Sequence, residues 1–230
     1  MLRFYGQAKF DLNAEDKAPI GYELFMRERQ GDKWVLPADF TSSTADEIAD
    51  LLSRTIAMMP THIKIVSFNL EQSQFIDPDF CDAVARVQAQ TPIQIYTELT
   101  ERTDPNVSED ALYAAARNFH EHGLLVCIDD VGTGDNTPEF VMNVDAYIDE
   151  YKFALQNFRP FTHISEIQDK VAFWWSLARE KNKTLAIEGI ENAEDLDVVR
   201  NQYPCDIVQG YYLARPELLP IQGEPVATGA

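Results

Sequence analysis

Cysteine is nearly absent from this chain: Cys81, Cys127 and Cys205 are three in 230 residues and lie far apart. No two have CxxC spacing, so neither a disulfide framework nor a zinc knuckle is indicated. Reduced, buried thiols of a cytoplasmic protein are the expectation. Basic residues are scarce too, with Lys plus Arg at 19 against 38 Asp plus Glu and a net charge of -19. A nucleic-acid polymer or an anionic membrane recruits clustered Lys and Arg, so neither is an expected partner. A small phosphorylated ligand held through metal ions stays compatible, because clustered carboxylates are what hard cations require. No apolar run approaches the length of a membrane span, and MLRFYGQAKFDLN lacks the apolar stretch and cleavage site of a signal peptide. A glycine-rich dinucleotide fingerprint after an early strand is also missing, which weakens an open Rossmann-type sheet.

What is present is an alternation of short apolar strands with amphipathic helices. RFYGQAKFDL and IGYELFMRE read as two strands joined by the polar turn NAEDKAP, close enough to pair antiparallel. Helices are expected over TADEIADLLSRTIAMM from a cap at Thr44, FCDAVARVQ after Pro78, SEDALYAAARNFHEHG ending on Gly123, ISEIQDKVAFWWSLAREKN and AEDLDVVRNQY. Strands are expected in IKIVSFNL, IQIYTEL, LLVCIDD, NVDAYIDEYKFAL, TLAIEG and CDIVQGYYL, with PIQGEPVATGA as a loose C-terminal tail. No linker or low-complexity break interrupts this, so residues 1–230 read as a single domain, and the early first strand favours a standalone one. Such alternation makes a parallel sheet, and a closed (β/α)8 barrel of TIM type is the preferred α/β architecture.

In a barrel of that type, chemistry sits at the C-terminal ends of the strands. Those ends carry Glu23, Asn69, Glu98 with Glu101, Asp129 with Asp130, Lys152, Glu188 with Glu191, and Gln209. Each alone has an ordinary explanation. Glu23 and Lys152 suit a solvent face, Asn69 a turn, DDVGTG a capped strand-to-helix turn, Glu188 and Glu191 a helix start, and Gln209 a satisfied buried amide. Together, four or more carboxylates at one mouth repel strongly unless cations bind there. Oxygen-only ligands point to Mg²⁺, Mn²⁺ or Ca²⁺ rather than zinc, and adjacent aspartates suit two ions about 4 Å apart, an arrangement of phosphoryl-ester chemistry. His62, His120, His122 and His163 form no ligand pair on these strands, and Trp174 and Trp175 are simplest as packing residues.

In order along the chain, FYGQ with Gln7, GYELFMR, FNL, ELTE, DDVGTG, YKF, IEGIE and QGYYLARP resemble the EAL domain, the bacterial domain that linearises cyclic di-GMP. The likeness runs from about Phe4 to Pro216, taken as the core of the domain. It implies a barrel whose first strand is antiparallel, and a metal-dependent phosphodiesterase giving linear pGpG with two Mg²⁺ or Mn²⁺ ions. It implies that Glu23, Asn69, Glu98 and Asp129 hold one metal and Asp130 the second, with Glu188 as metal ligand or base. Lys152 would steady the attacking water or the phosphate, Arg27 would contact a substrate phosphate, and Gln209 would lie near the water. Glu101 would anchor the loop after DDVGTG, Glu191 would be a supporting acid, and a homodimer is compatible. The chain departs from the pattern at Leu24 in the signature triplet, at Ala154 in place of an aspartate, and at Asp135, Asn136, Thr137 and Pro138. Because of these departures, a degenerate EAL protein that binds cyclic di-GMP or a protein partner without cleavage is the alternative.

Overall fold

The computed structural model describes residues 1–14 and 18–224. Its opening hairpin pairs β1 (Leu2–Asp11) antiparallel with β2 (Gly21–Gln30), in register from Leu2 opposite Glu28 to Lys9 opposite Gly21. A short β3 (Lys33–Val35) folds back on the end of β2. β4 (Ile65–Leu70), β5 (Gln94–Leu99), β6 (Leu125–Ile128), β7 (Glu150–Ala154), β8 (Thr184–Glu188) and β9 (Ile207–Val208) then follow, each parallel to the barrel strand before it. β9 returns to β1 antiparallel, with Phe10 opposite Val208, and closes a TIM-type barrel of eight strands. The expected reversed first strand is therefore present.

The connecting helices are α1 (Ala45–Ile56), α2 (Gln72–Phe75), α3 (Pro78–Gln88), α4 (Glu109–Glu121), α5 (Pro138–Val144), α6 (Gln168–Lys181) and α7 (Ala193–Gln202). Their starts follow from local chemistry. Thr44 and Glu47 form a reciprocal capping box, and Ser108, Thr137 and Asn192 each accept the backbone N–H three residues on. The expected long helix from Ile164 begins instead as a 3-10 turn, Ile164–Ile167, before α6.

Three further segments differ from the sequence expectation. α5 lies where the sequence pattern predicts no helix, started by the Thr137 cap and by Pro138 in its first turn. β9 is two residues long because the backbone after Gln209 passes close to Ile190: a Cβ on Gly210 would lie 2.2 Å from the Ile190 carbonyl oxygen. The tail is docked rather than loose as far as Glu224. β10 (Glu217–Leu218) pairs antiparallel with β1, Ile221 is buried, Gln222 N–H donates to Arg54 at 2.9 Å, and Arg3 pairs with Glu224. Residues 225–230 lie outside the described residues.

The main apolar core lies between barrel and helices, and Trp174 packs there edge-on against Tyr151 and Phe173. Inside the barrel, a small apolar cluster of Ile65, Ala186 and Ile207, flanked by Tyr96, lies on the same strand faces as Asn69, Glu188 and Gln209. Closer to the mouth the interior turns ionic, with Lys9, Glu98, Glu150 and Lys152 all buried. Leu24 alternates with Glu23, so it points away from that interior and joins the main core at 1% exposure. The enlarged residue of the signature triplet thus packs into the core and not into the ionic interior of the barrel. Leu24→Ala is expected to lower stability to denaturant by about 2–5 kcal/mol while cation binding at the mouth shifts less than about twofold; a large shift in cation binding in the folded variant would contradict this placement.

Candidate metal centre at the barrel mouth

Five of the residues predicted at the strand ends, Glu23, Glu98, Asp129, Lys152 and Glu188, converge on one point. Lys152, buried on β7, places Nζ 3.1 Å from Glu23 Oε1, 2.9 Å from Glu98 Oε2, 2.9 Å from Asp129 Oδ1 and 3.1 Å from Glu188 Oε1. An ammonium has three N–H bonds for these four carboxylates, and Glu188 Oε1 is left with the ionic contact alone. Burial pulls the Lys152 ammonium towards neutrality, but Asp129, Glu188, Glu23 and Glu98 outweigh it and hold its pKa well above the usual lysine range. Among the acids, burial and the neighbouring Glu98 push Glu23 up to about 7. Burial likewise carries Asp129 up to about 7 against the pull of Lys152, and holds Glu188 well above the carboxylate range. Glu98 goes the other way: burial would raise it, but Lys152 and Lys9 bring it down to about 2.

This charge arrangement fits hard divalent cations. One ammonium does not neutralise four converging carboxylates, so further positive charge there is favourable. Asn69 Oδ1, Gln209 Oε1 and Glu188 Oε1 are buried oxygens without a hydrogen-bond partner among the described residues. Glu101, Asp129 and Asp130 bring carboxylate oxygens within 4.8 Å of one another. All these donors are oxygen, the set that suits magnesium, manganese or calcium.

Two grooves flank the cluster and share Glu23, Phe25, Asp129 and Asp130 in their walls. One, of about 320 Å³, reaches past Glu188 to Gln156 and Tyr211; the other, of about 240 Å³, reaches Arg27, Phe40 and Arg102. Joined across the acids, they form an elongated cleft.

Residues 3–216 match the EAL domain family. The chain belongs to that family. Among known proteins, this EAL domain is 27% identical over 191 residues to the Probable cyclic di-GMP phosphodiesterase PdeG of Escherichia coli (strain K12), across 80% of this chain and 36% of the relative. It is 24% identical over 217 residues to the Cyclic di-GMP phosphodiesterase PdeL of the same organism, across 85% of this chain and 58% of the relative. The chain therefore spans roughly a third to somewhat over half of these relatives' lengths. Among solved structures, the fold resembles the Bacillus subtilis YkuI protein, with an EAL domain, in complex with c-di-GMP and calcium. That likeness has a TM-score of 0.74 and 18% identity, over 96% of this chain and 56% of that one.

The remaining predicted residues of the EAL domain divide between the cluster and its surroundings. Gln209 Nε2 donates to Glu23 Oε2 at 2.6 Å and to Gln7 Oε1 at 3.2 Å, which fixes one face of Glu23. The Arg27 guanidinium lies 5.7 Å from the Tyr5 ring and 5.9 Å from that of Phe25, in the wall of the smaller groove. Glu191 stands away from the cluster and pairs with Arg159 at 3.2 Å. Glu101 has two contacts: its side chain meets Asp129 and Asp130, and its backbone oxygen accepts from Asp135 N–H at 3.1 Å. Ala154 is buried opposite Glu188 in register and adds no polar group beside it.

The departures after Gly134 take part in the local structure. Asp130 sits at φ +47°, followed by positive φ at Gly132 and Gly134, and a Cβ on Gly134 would lie 2.4 Å from the Glu101 backbone oxygen. Asn136 is buried, donates its side-chain amide to the Asp129 backbone oxygen, and accepts from Gly132 N–H at 2.8 Å. Thr137 then caps α5. Of the altered residues, Asn136 thus holds the Asp129 backbone, and Thr137 and Pro138 start the following helix.

Sequence reasoning missed Lys9 and Glu150. Lys9 Nζ lies 3.2 Å from Glu98 Oε1 and 3.6 Å from Glu150 Oε1, beneath the mouth. A signal was available: Glu150 and Lys152 are two apart in one strand and face the same side, as do Gln7 and Lys9.

Proposed function

We propose that this EAL domain hydrolyses cyclic di-GMP to linear pGpG with two Mg²⁺ or Mn²⁺ ions. The observation that carries the reading is the convergence of Glu23, Glu98, Asp129 and Glu188 within 3.1 Å of a single point, beside the unpartnered Asn69 oxygen. In this reading Glu23, Asn69, Glu98 and Asp129 hold one ion, and Asp130 with Glu188 holds the other. Bound there, the ions would supply positive charge towards the phosphodiester and would lower the pKa of a water molecule. Glu188 accepts the proton of the attacking water, its carboxylate lying at the convergence point 3.1 Å from Lys152 Nζ. The water oxygen bonds to phosphorus while the bond to the 3′ oxygen breaks, and that oxygen leaves as an alkoxide that then takes a proton from solvent. Lys152 steadies the phosphate or the water, Gln209 orients Glu23, Glu101 secures the loop carrying Asp129 and Asp130, and Glu191 braces the far side through Arg159. Arg27 meets a phosphate in the smaller groove, so an anionic dinucleotide binds despite the net charge of -19.

The names of both relatives support the substrate, and the elongated cleft suits a two-base ligand. Among the described residues no helix is long and apolar enough to cross a membrane; a cytoplasmic, homodimeric protein accords with this proposal. The second reading, binding without cleavage, draws on Lys152 itself, whose ammonium contacts four of the carboxylates assigned to the ions. Incubation with cyclic di-GMP and Mg²⁺ or Mn²⁺, followed by chromatography, separates the two. pGpG is the expected product, and bound but intact cyclic di-GMP would favour the second reading.

A further inference from the structure

The interior below the mouth holds a buried cation that the proposed reaction does not use. Lys9 is 1% exposed, and its Nζ donates to Glu98 Oε1 at 3.2 Å. Glu98 is fully buried, and its other oxygen, Oε2, accepts from Lys152 at 2.9 Å. The two oxygens of Glu98 therefore have different partners, Oε1 the ammonium beneath and Oε2 the group at the convergence point. Glu150, 3.6 Å from Lys9 and also fully buried, supplies a second countercharge.

We propose that Lys9 is a positioning residue that confines Glu98 to one cation-facing oxygen, and so biases the mouth towards small octahedral cations and against calcium. The inference rests on the assignment of Glu98 as a metal ligand made above. Its physical basis is a difference in coordination. Calcium takes six to eight oxygens at about 2.3–2.6 Å and commonly uses both oxygens of a carboxylate, whereas magnesium demands near-octahedral geometry at about 2.0–2.1 Å. For Glu98 to chelate with both oxygens, Oε1 must leave a buried charge-assisted bond and strand an ammonium in the barrel. Partners that orient a ligand from behind typically shift metal affinity about 10–100-fold.

The test uses the metals alone. Dissociation constants for Mn²⁺, Mg²⁺ and Ca²⁺ are measured by titration calorimetry on the wild type, on Glu150→Gln and on the double variant Lys9→Met/Glu150→Gln, without nucleotide. The double variant removes both interior charges with little change of volume, so a purely structural role of Lys9 is met and the ratio of Ca²⁺ to Mn²⁺ dissociation constants stays as in the wild type. The proposal predicts that this ratio falls about tenfold in the double variant and is retained in Glu150→Gln. An unchanged ratio in the folded double variant overturns it. Should the double variant not fold, Lys9→Arg is expected to keep the ratio and Lys9→Gln to lower it, and any other order overturns the proposal. A wild type that binds no divalent cation overturns the metal-dependent reading and this inference with it, whereas a metal-binding wild type with an insensitive ratio overturns this inference alone.

Discussion

Lys152→Met is expected to lower the stability of the metal-free protein by about 3–5 kcal/mol, the cost of removing one partner from a buried ionic cluster. The variant leaves Glu23, Glu98, Asp129 and Glu188 without the ammonium that now contacts all four. For each of the four, Lys152 is the largest influence opposing burial, and Glu98 alone keeps a second ammonium within 3.2 Å, that of Lys9. Methionine fills a similar volume, so the effect is one of charge rather than of a cavity. Added Mn²⁺ is expected to restore more stability to the variant than to the wild type, since the cation then replaces the missing charge and binds only the folded state. Denaturant unfolding with and without Mn²⁺ measures both quantities. A loss below about 1 kcal/mol, as for an exposed ion pair, would show that the ammonium does not hold the acids together.

Glu188→Gln is expected to reduce kcat on cyclic di-GMP by about 10²–10⁴-fold, the usual contribution of a positioned base, with KM changed only a few-fold. The amide keeps the shape of the side chain but neither takes a proton from water nor carries the ligand charge. Stability is expected to move the other way. Glu188 is nine-tenths buried or more, one of its oxygens has no hydrogen bond, and its neighbours Glu23 and Asp129 repel it. A neutral side chain relieves that cost, so the melting temperature of the metal-free variant should match or exceed that of the wild type. Lost turnover in a protein of equal or greater stability marks a group kept for chemistry. Unchanged turnover would remove Glu188 from the mechanism.

The barrel and most of its mouth were legible in the sequence because their signals are local. Strands that end at or next to Asn69, Glu98, Asp129 and Glu188 report the direction of the sheet, and the cleft forms where such ends converge; Glu23 instead lies near the start of β2, which runs on past the mouth to Gln30. α5 was less visible: at seven residues it is too short for a periodicity, and only Thr137 and Pro138 mark its start. β9 and β10, at two residues each, fall below what alternation can show, and the docked tail depends on partners such as Arg3 and Arg54 that are distant in sequence. Lys9 was missed for a related reason. Its partner Glu98 lies 89 residues away, and an alternating strand puts a lysine on a solvent face more often than inside a barrel. The departures at Leu24 and Asn136 could be interpreted only once their directions were known, Leu24 towards the helices and Asn136 towards the backbone of Asp129.

The central claim is that the converging acids at the mouth direct water onto a phosphodiester. Its most direct test is turnover of cyclic di-GMP with Mg²⁺ or Mn²⁺ in ¹⁸O-enriched water, followed by mass spectrometry of the product. The account predicts pGpG carrying one ¹⁸O on its terminal phosphate. Cyclic di-GMP recovered intact from folded, metal-loaded protein would contradict it.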